Sequence, residues 1–280
     1  MHRFTTPTPP QLDIEFRAGD ITIVATDEVA ESTVELTGHR DDDDTRALIA
    51  ATLIEQRGDE VVVQVPKDGG AFGRTPELRL RITAPRGSRL AVRSGSGDLR
   101  VHGSLGASRV DSGSGDVRID RVDGTSRVRA GSGDVVIDDV GADLEAQTGS
   151  GDIRIGRLGG SAKLQSGSGD VHVDAADDGV HLQTGSGDIS LGDAGHDVKA
   201  QTGSGDVRLA AVRRGRVLVQ GASGDIHVGV TDGTAAWLDV TTLAGRIESD
   251  LESADAPADG EERVHLKLNT VSGDITVVRS

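Results

Sequence analysis

The sequence predicts an all-β protein, a parallel β-solenoid (β-helix) with coils of about 18 residues, wound right-handed, with one short N-terminal helix as a cap. Three observations predict it. Gly-Ser-Gly-Asp followed by Val, Ile or Leu recurs with its aspartate at Asp98, Asp116, Asp134, Asp152, Asp170, Asp188 and Asp206, an interval of 18 residues every time. Between these motifs apolar and polar residues alternate with the period of two that marks a strand. The composition, 39 Gly against three Phe, one Trp and no Tyr, suits a thin core where small side chains meet from opposite walls. The right hand follows from the general bias of parallel β crossovers.

Along the chain, residues 21–25, 32–36, 61–65 and 78–82 read as strands, with an early echo of the motif at Asp20. A helix is expected over 45–56, where Ala47, Ala50, Ala51 and Ile54 share one face, and Gly58 can end it. The four aspartates at 41–44 fit the positive end of that helix better than a metal site. Residues 1–90 thus form a β-rich segment with a capping helix, continuous with a regular solenoid over 91–228. Irregular coils over 229–280 complete a single elongated domain.

One unit shows how a coil is built. Leu144, Ala146 and Thr148 alternate with Glu145 and Gln147, Gly149-Ser150-Gly151 turns the chain, and Ile153 and Ile155 point inward beside outward Asp152 and Arg154. Neighbouring coils lie about 4.8 Å apart. Columns such as Val110, Val128, Ala146, Leu164, Leu182, Ala200 and Val219 therefore stack into a core at about 1.5–3 kcal/mol per buried side chain. After Asp206 the motif loosens, at Asp225, Arg246 and Asp274. The acidic stretch 252–262 reads as a mobile loop, and Trp237 as a plug for the C-terminal end.

The formal charge of −16 speaks against nucleic acid as a partner, and the absence of cysteine removes disulfides and thiolate sites. No export signal or membrane span is visible, so a cytoplasmic location and a monomer or weak homo-oligomer are expected.

The aspartate column invites a calcium reading, because stacked carboxylates repel by roughly 1 kcal/mol per neighbour even in water and Ca²⁺ prefers oxygen ligands. Asx-type hydrogen bonds within each turn, and the basic column Arg100, Arg118, Arg154, His172, Arg208 and His227 two residues on, relieve the repulsion without a cation. The column Asp98 to Asp206 is therefore only a weak metal candidate, and no cofactor is expected. Six equivalent turn serines do not make a nucleophile, since a catalytic serine sits once in a site. A second outward column, Gln147, Gln165, Gln183, Gln201 and Gln220, reads as an amide ladder.

The tandem Ser/Thr-Gly-Ser-Gly-Asp-(Val/Ile) units, preceded by Pro85-Arg86-Gly87-Ser88, resemble a bacterial domain-of-unknown-function family labelled "putative adhesin". That resemblance implies a β-solenoid, often linked to the cell envelope, with no catalytic residues to carry over. The function expected is a non-catalytic scaffold that binds a protein or an envelope polymer through an interaction face made of Arg100, Arg118, Arg154, His172, Arg208, Gln147, Gln165, Gln183 and Gln201. The alternatives are a polysaccharide-acting β-helix enzyme and a calcium-stabilised glycan-binding solenoid. Self-assembly through exposed coil ends is disfavoured by the capping features.

Overall fold

A computed structural model of the chain describes residues 1–66, 76–251 and 262–280. It is nearly all-β and solenoidal, and falls into two compact units, Met1–Ala142 and Asp143–Ser280.

The first unit opens with β1 (His2–Thr5), β2 (Gln11–Thr26), β3 (Glu31–Gly38) and α1 (Asp43–Ala51). It continues with β4 (Leu53–Arg57), β5 (Glu60–Gln64), β6 (Leu78–Pro85), β7 (Arg89–Leu105), β8 (Ser108–Ser112), β9 (Val117–Val122), β10 (Ser126–Ala130) and β11 (Val135–Val140). Strand β2 lies parallel to β7, from Gln11 opposite Arg89 to Ala25 opposite Gly103, which sets Asp20 opposite Asp98. Its other edge takes β5 and β6. From β7 the coils then proceed in order, β8 and β9, then β10 and β11. Beyond β5 and β6 the parallel run stops. There β4 lies antiparallel on β5, β3 antiparallel on β6, and β1 antiparallel on β3.

The helix differs from its expected span. It ends at Ala51, and Leu53–Arg57 is a strand whose Ile54 faces Val63. Leu, Glu, Gln and Arg are good helix formers, but the open edge of β5 offers ladder hydrogen bonds, and this tertiary pairing overrides the local propensity. Its buried face is Thr45 and Leu48, whereas Ala47, Ala50 and Ala51 are exposed. The acidic run acts as a helix cap: Asp42 accepts the Thr45 N–H at 2.8 Å, and this bonding holds its carboxyl below the usual range.

The second unit runs through β12 (Leu144–Thr148), β13 (Ile153–Leu158), β14 (Ala162–Ser166), β15 (Val171–Ala176), β16 (Val180–Thr184), β17 (Ile189–Ala194) and β18 (Val198–Ser204). Then come β19 (Val207–Val212), β20 (Gly215–Ser223), β21 (Ile226–Val230), β22 (Ala235–Ala244), β23 (Ile247–Ser249), β24 (Arg263–Ser272) and β25 (Ile275–Arg279). Even-numbered strands stack on even and odd on odd, each one coil from the next, with side chains in register: Leu164 on Ala146, Leu182 on Leu164, Ala200 on Leu182. All of these are fully buried, as are Val171 and the third-side positions Leu158 and Val212.

The stacking order changes after β20 and β21. Strands β24 and β25 pair with β20 and β21 on one side and with β22 and β23 on the other. The coil over 263–279 is therefore inserted beneath the earlier one, and residues 235–249 form the outermost coil. Trp237 sits on that coil but does not plug it, being 72% exposed on the outward row. The expected acidic loop, apart from Glu262, lies outside the described residues.

Candidate functional site

The outward chemistry of each coil is set at its corner. In the Ser/Thr-Gly-Ser-Gly-Asp motifs of the second unit the first hydroxyl faces in, whereas Ser94 and Ser112 of the first unit are half-buried and donate to the second glycine's carbonyl of their own corner. Thr148, Ser166, Thr184 and Thr202 are buried, and the Ser166 and Thr184 hydroxyls accept the N–H of the second glycine of their own corner, at 2.8 and 3.1 Å. Each donates in turn to the second glycine's carbonyl one coil earlier, at 2.9 Å. This inner ladder satisfies corner backbone groups that would otherwise be orphaned. The sequence reading placed these residues inward without assigning them that role.

The aspartates form the matching outer ladder. Asp188 Oδ1 accepts the backbone N–H of Asp206 at 2.8 Å, and Asp170 and Asp152 do the same for Asp188 and Asp170, at 2.8 and 2.9 Å. In the first unit Asp98 and Asp116 accept from Asp116 and Asp134, at 3.1 and 3.0 Å. The bond thus reaches the next coil, not the residue's own turn as an Asx motif would. Beyond Asp206 the ladder passes to Asp225, then Asp274, then the N–H of Arg246, following the inserted coil.

One carboxylate oxygen of each of these ladder aspartates is thereby occupied. At Asp98 and Asp152 the other meets Arg100 and Arg154, at 3.3 and 2.7 Å. Among the described residues no group of three or more His, Asp or Glu is arranged to hold a metal ion. We expect Asp188→Ala to cost about 1–2 kcal/mol, because the Asp206 N–H loses a charged acceptor at a partly solvated corner. Asp188→Asn keeps an acceptor and removes two repulsive neighbours, so it should change stability by less than about 0.5 kcal/mol. Urea unfolding of the two variants checks this; equal losses in both would contradict a hydrogen-bonding role.

The proposed interaction residues do not form one face. Arg100 and Arg118 are in register in the first unit, followed by Val136. Arg154, His172, Ser190, Arg208 and His227 form a row in the second, so the basic column is interrupted. Gln147, Gln165, Gln183, Gln201 and Gln220 lie on the other run of strands, across the corner. They stack in register, but the expected amide ladder is bonded at two of its four links only, with Gln165 donating to Gln183 at 2.9 Å and Gln201 to Gln220 at 2.6 Å. Beside it runs a row the sequence reading passed over, Lys163, His181 and Lys199. Its 18-residue spacing was the available signal.

Two features stand out chemically. Arg100 joins two coils, bonding both Asp98 and Asp20 at 3.3 Å. Arg118, one coil further, is exposed, and its guanidinium makes no hydrogen bond or ion pair among the described residues. The two arginines, with His102, Asp120, Val136 and Asp138, line a depression of about 260 Å³. An unpaired guanidinium over a shallow apolar floor can take a carboxylate, sulfate or phosphate in bidentate fashion. On the third side of this unit, Asp123 is held below the usual carboxylate range by the Ser104 hydroxyl at 2.5 Å and by Arg121. Arg121 also bonds Asp139.

A family model described as Toastrack DUF4097 matches residues 10–214 and again 144–278. Among solved structures, a "putative adhesin" from Parabacteroides distasonis ATCC 8503 is 14% identical, with 100% of this chain and 95% of that chain covered and a TM-score of 0.40. A second "putative adhesin", from Bacteroides fragilis NCTC 9343, is 13% identical with the same coverage and a TM-score of 0.32. A "putative cell adhesion protein" from Clostridium sporogenes ATCC 15579 is 9% identical, covers 100% and 98%, and has a TM-score of 0.19. No curated protein matches. Among the described residues no helix is long and apolar enough to cross a membrane.

Proposed function

The chain belongs to the Toastrack DUF4097 family, and on that premise we propose that it is a non-catalytic solenoid scaffold that binds a protein or an envelope polymer along its outward columns. The observation that carries this reading is Arg118, a guanidinium without a partner in the depression it shares with Arg100 and His102. Arg100 and Arg154, by contrast, are engaged by Asp98 and Asp152, so Arg118 is the arginine of this depression left open to a ligand. The parallel coils also hold their outward side chains in straight rows, which suits an extended, repetitive ligand. An enzyme would need a unique cluster carried on longer loops, and the regular interval between Asp98 and Asp206 leaves no insertion there.

An array of acidic polysaccharides and envelope proteins, probed with the wild-type chain and with Arg118→Glu and Lys163→Glu variants, tests the proposal. For at least one bound ligand we expect Arg118→Glu to weaken binding tenfold or more, about 1.4 kcal/mol. Retention of every ligand at full affinity by both variants would remove the outward rows from consideration. Cleavage of a bound polymer would replace the scaffold with an enzyme.

A further inference from the structure

The outermost coil of the second unit is unlike every other coil in that unit. Strands β22 and β23 each have a partner on one side only among the described residues. The inward columns therefore run out into solvent. Leu238 is in register with Leu266, and Ile247 with Ile275, both fully buried, yet Leu238 and Ile247 are themselves 38% and 50% exposed. On the outward row Trp237 and Leu243 are 72% and 80% exposed. Among the described residues, four of the seven exposed large hydrophobic residues thus sit on this one coil, including the chain's only tryptophan. A single exposed leucine needs no explanation, whereas a cluster along an unpaired strand edge does.

We propose that a second copy of this chain pairs with this edge, β22 against β22, across a two-fold axis. The first unit shows how this sequence ends a parallel stack: antiparallel β4 and β3 cover β5 and β6. Two copies of β22 related by a dyad are antiparallel by symmetry and equal in length, so each edge meets its own complement. With Val240 on the axis, Trp237 lies opposite Leu243 of the second copy, and Leu238 opposite Thr242. Asp239 then faces Thr241 rather than another Asp239, and it already has Lys267 at 3.3 Å. Trp237 alone supplies on the order of 150–200 Å² of contact. With Leu238, Leu243, Ile247 and the ten-residue strand edge, the face reaches the several hundred square ångströms per partner that a specific interface requires.

Sedimentation velocity of the full chain from about 1 µM to about 200 µM tests the proposal, with Trp237 fluorescence read in parallel. We expect a concentration-dependent dimer, with Trp237 emission shifting to the blue as it forms. Trp237→Lys with Leu243→Lys should weaken dimerisation about 100-fold or more and leave the circular dichroism spectrum unchanged, because both side chains are solvent-exposed in the single copy. In this cysteine-free chain, Trp237→Cys with Leu243→Cys should give a covalent dimer on mild oxidation, since the two positions are too far apart along one strand to join within a copy. A chain that stays monomeric throughout, with Trp237 either quenched by iodide or shielded by its own chain, overturns the proposal. So does a dimer indifferent to the lysine pair, or one that the cysteine pair does not cross-link.

Discussion

Gly187→Ala is expected to lower stability by on the order of 3 kcal/mol, although alanine is the smallest possible change and the position needs no unusual backbone angle. A Cβ there overlaps the Gly169 carbonyl carbon and oxygen and comes within 2.9 Å of Asp170 Oδ1. That carboxylate oxygen is the acceptor of the Asp188 N–H. The methyl group would therefore drive two coils apart at the point where the outer ladder joins them, because the Gly169 carbonyl is backbone and cannot move aside, and the Asp170 carboxylate can do so only by giving up its bond to the Asp188 N–H. Gly179→Ala is the matched control: its Cβ would meet only Asp197, at 3.7 Å, which is ordinary contact. Thermal melting of both variants checks the claim. A drop of about 10 °C is expected for Gly187→Ala and almost none for Gly179→Ala. Equal melting would mean that the corner has room, and that glycine recurs there for some reason other than close approach.

Leu182→Ala should cost about 3 kcal/mol. Leu182 is fully buried between Leu164 and Ala200 of the adjoining coils. No Phe, Trp or Tyr side chain lies in these coils to swing into the space, and the coil backbones are pinned by their ladders on both sides. Lys163→Ala, on the exposed outward row, should change stability by less than about 0.5 kcal/mol. Denaturant titration distinguishes the two. A loss below about 1 kcal/mol for Leu182→Ala would show that the coils can close onto a smaller side chain.

The regular coils were legible in the sequence because a fixed period makes each residue's neighbour its own counterpart 18 positions away. Alternation then settles which side faces in, and the columns through Val110 and Leu164 are buried as expected. Where the period fails, so does that logic. Residues 53–57 carry a pattern that fits a helix or a strand, and the open edge of β5 decides, a partner invisible to local propensity. The insertion of β24 between β20 and β22 is likewise a long-range choice. The aspartates were correctly placed at corners facing out. Their acceptor role was assigned to the wrong amide because a turn suggests a local bond, whereas the stacked coil presents the next Asp N–H. The single interaction face divided because Arg154 and Gln147 lie on strands either side of a corner, β13 and β12.

The inserted coil has a consequence for how this protein is made. A solenoid synthesised from its N-terminus can in general add coils as they emerge, each docking on the one before. Residues 235–249 cannot follow that course, because the strands on which they rest, β24 and β25, are synthesised later. Until those strands arrive, β22 and β23 must wait undocked, and the edges of β20 and β21 must stay open rather than accept the wrong neighbour. Folding of this unit therefore departs from the order of translation at one defined point. The coil that ends the stack is made first and docks last.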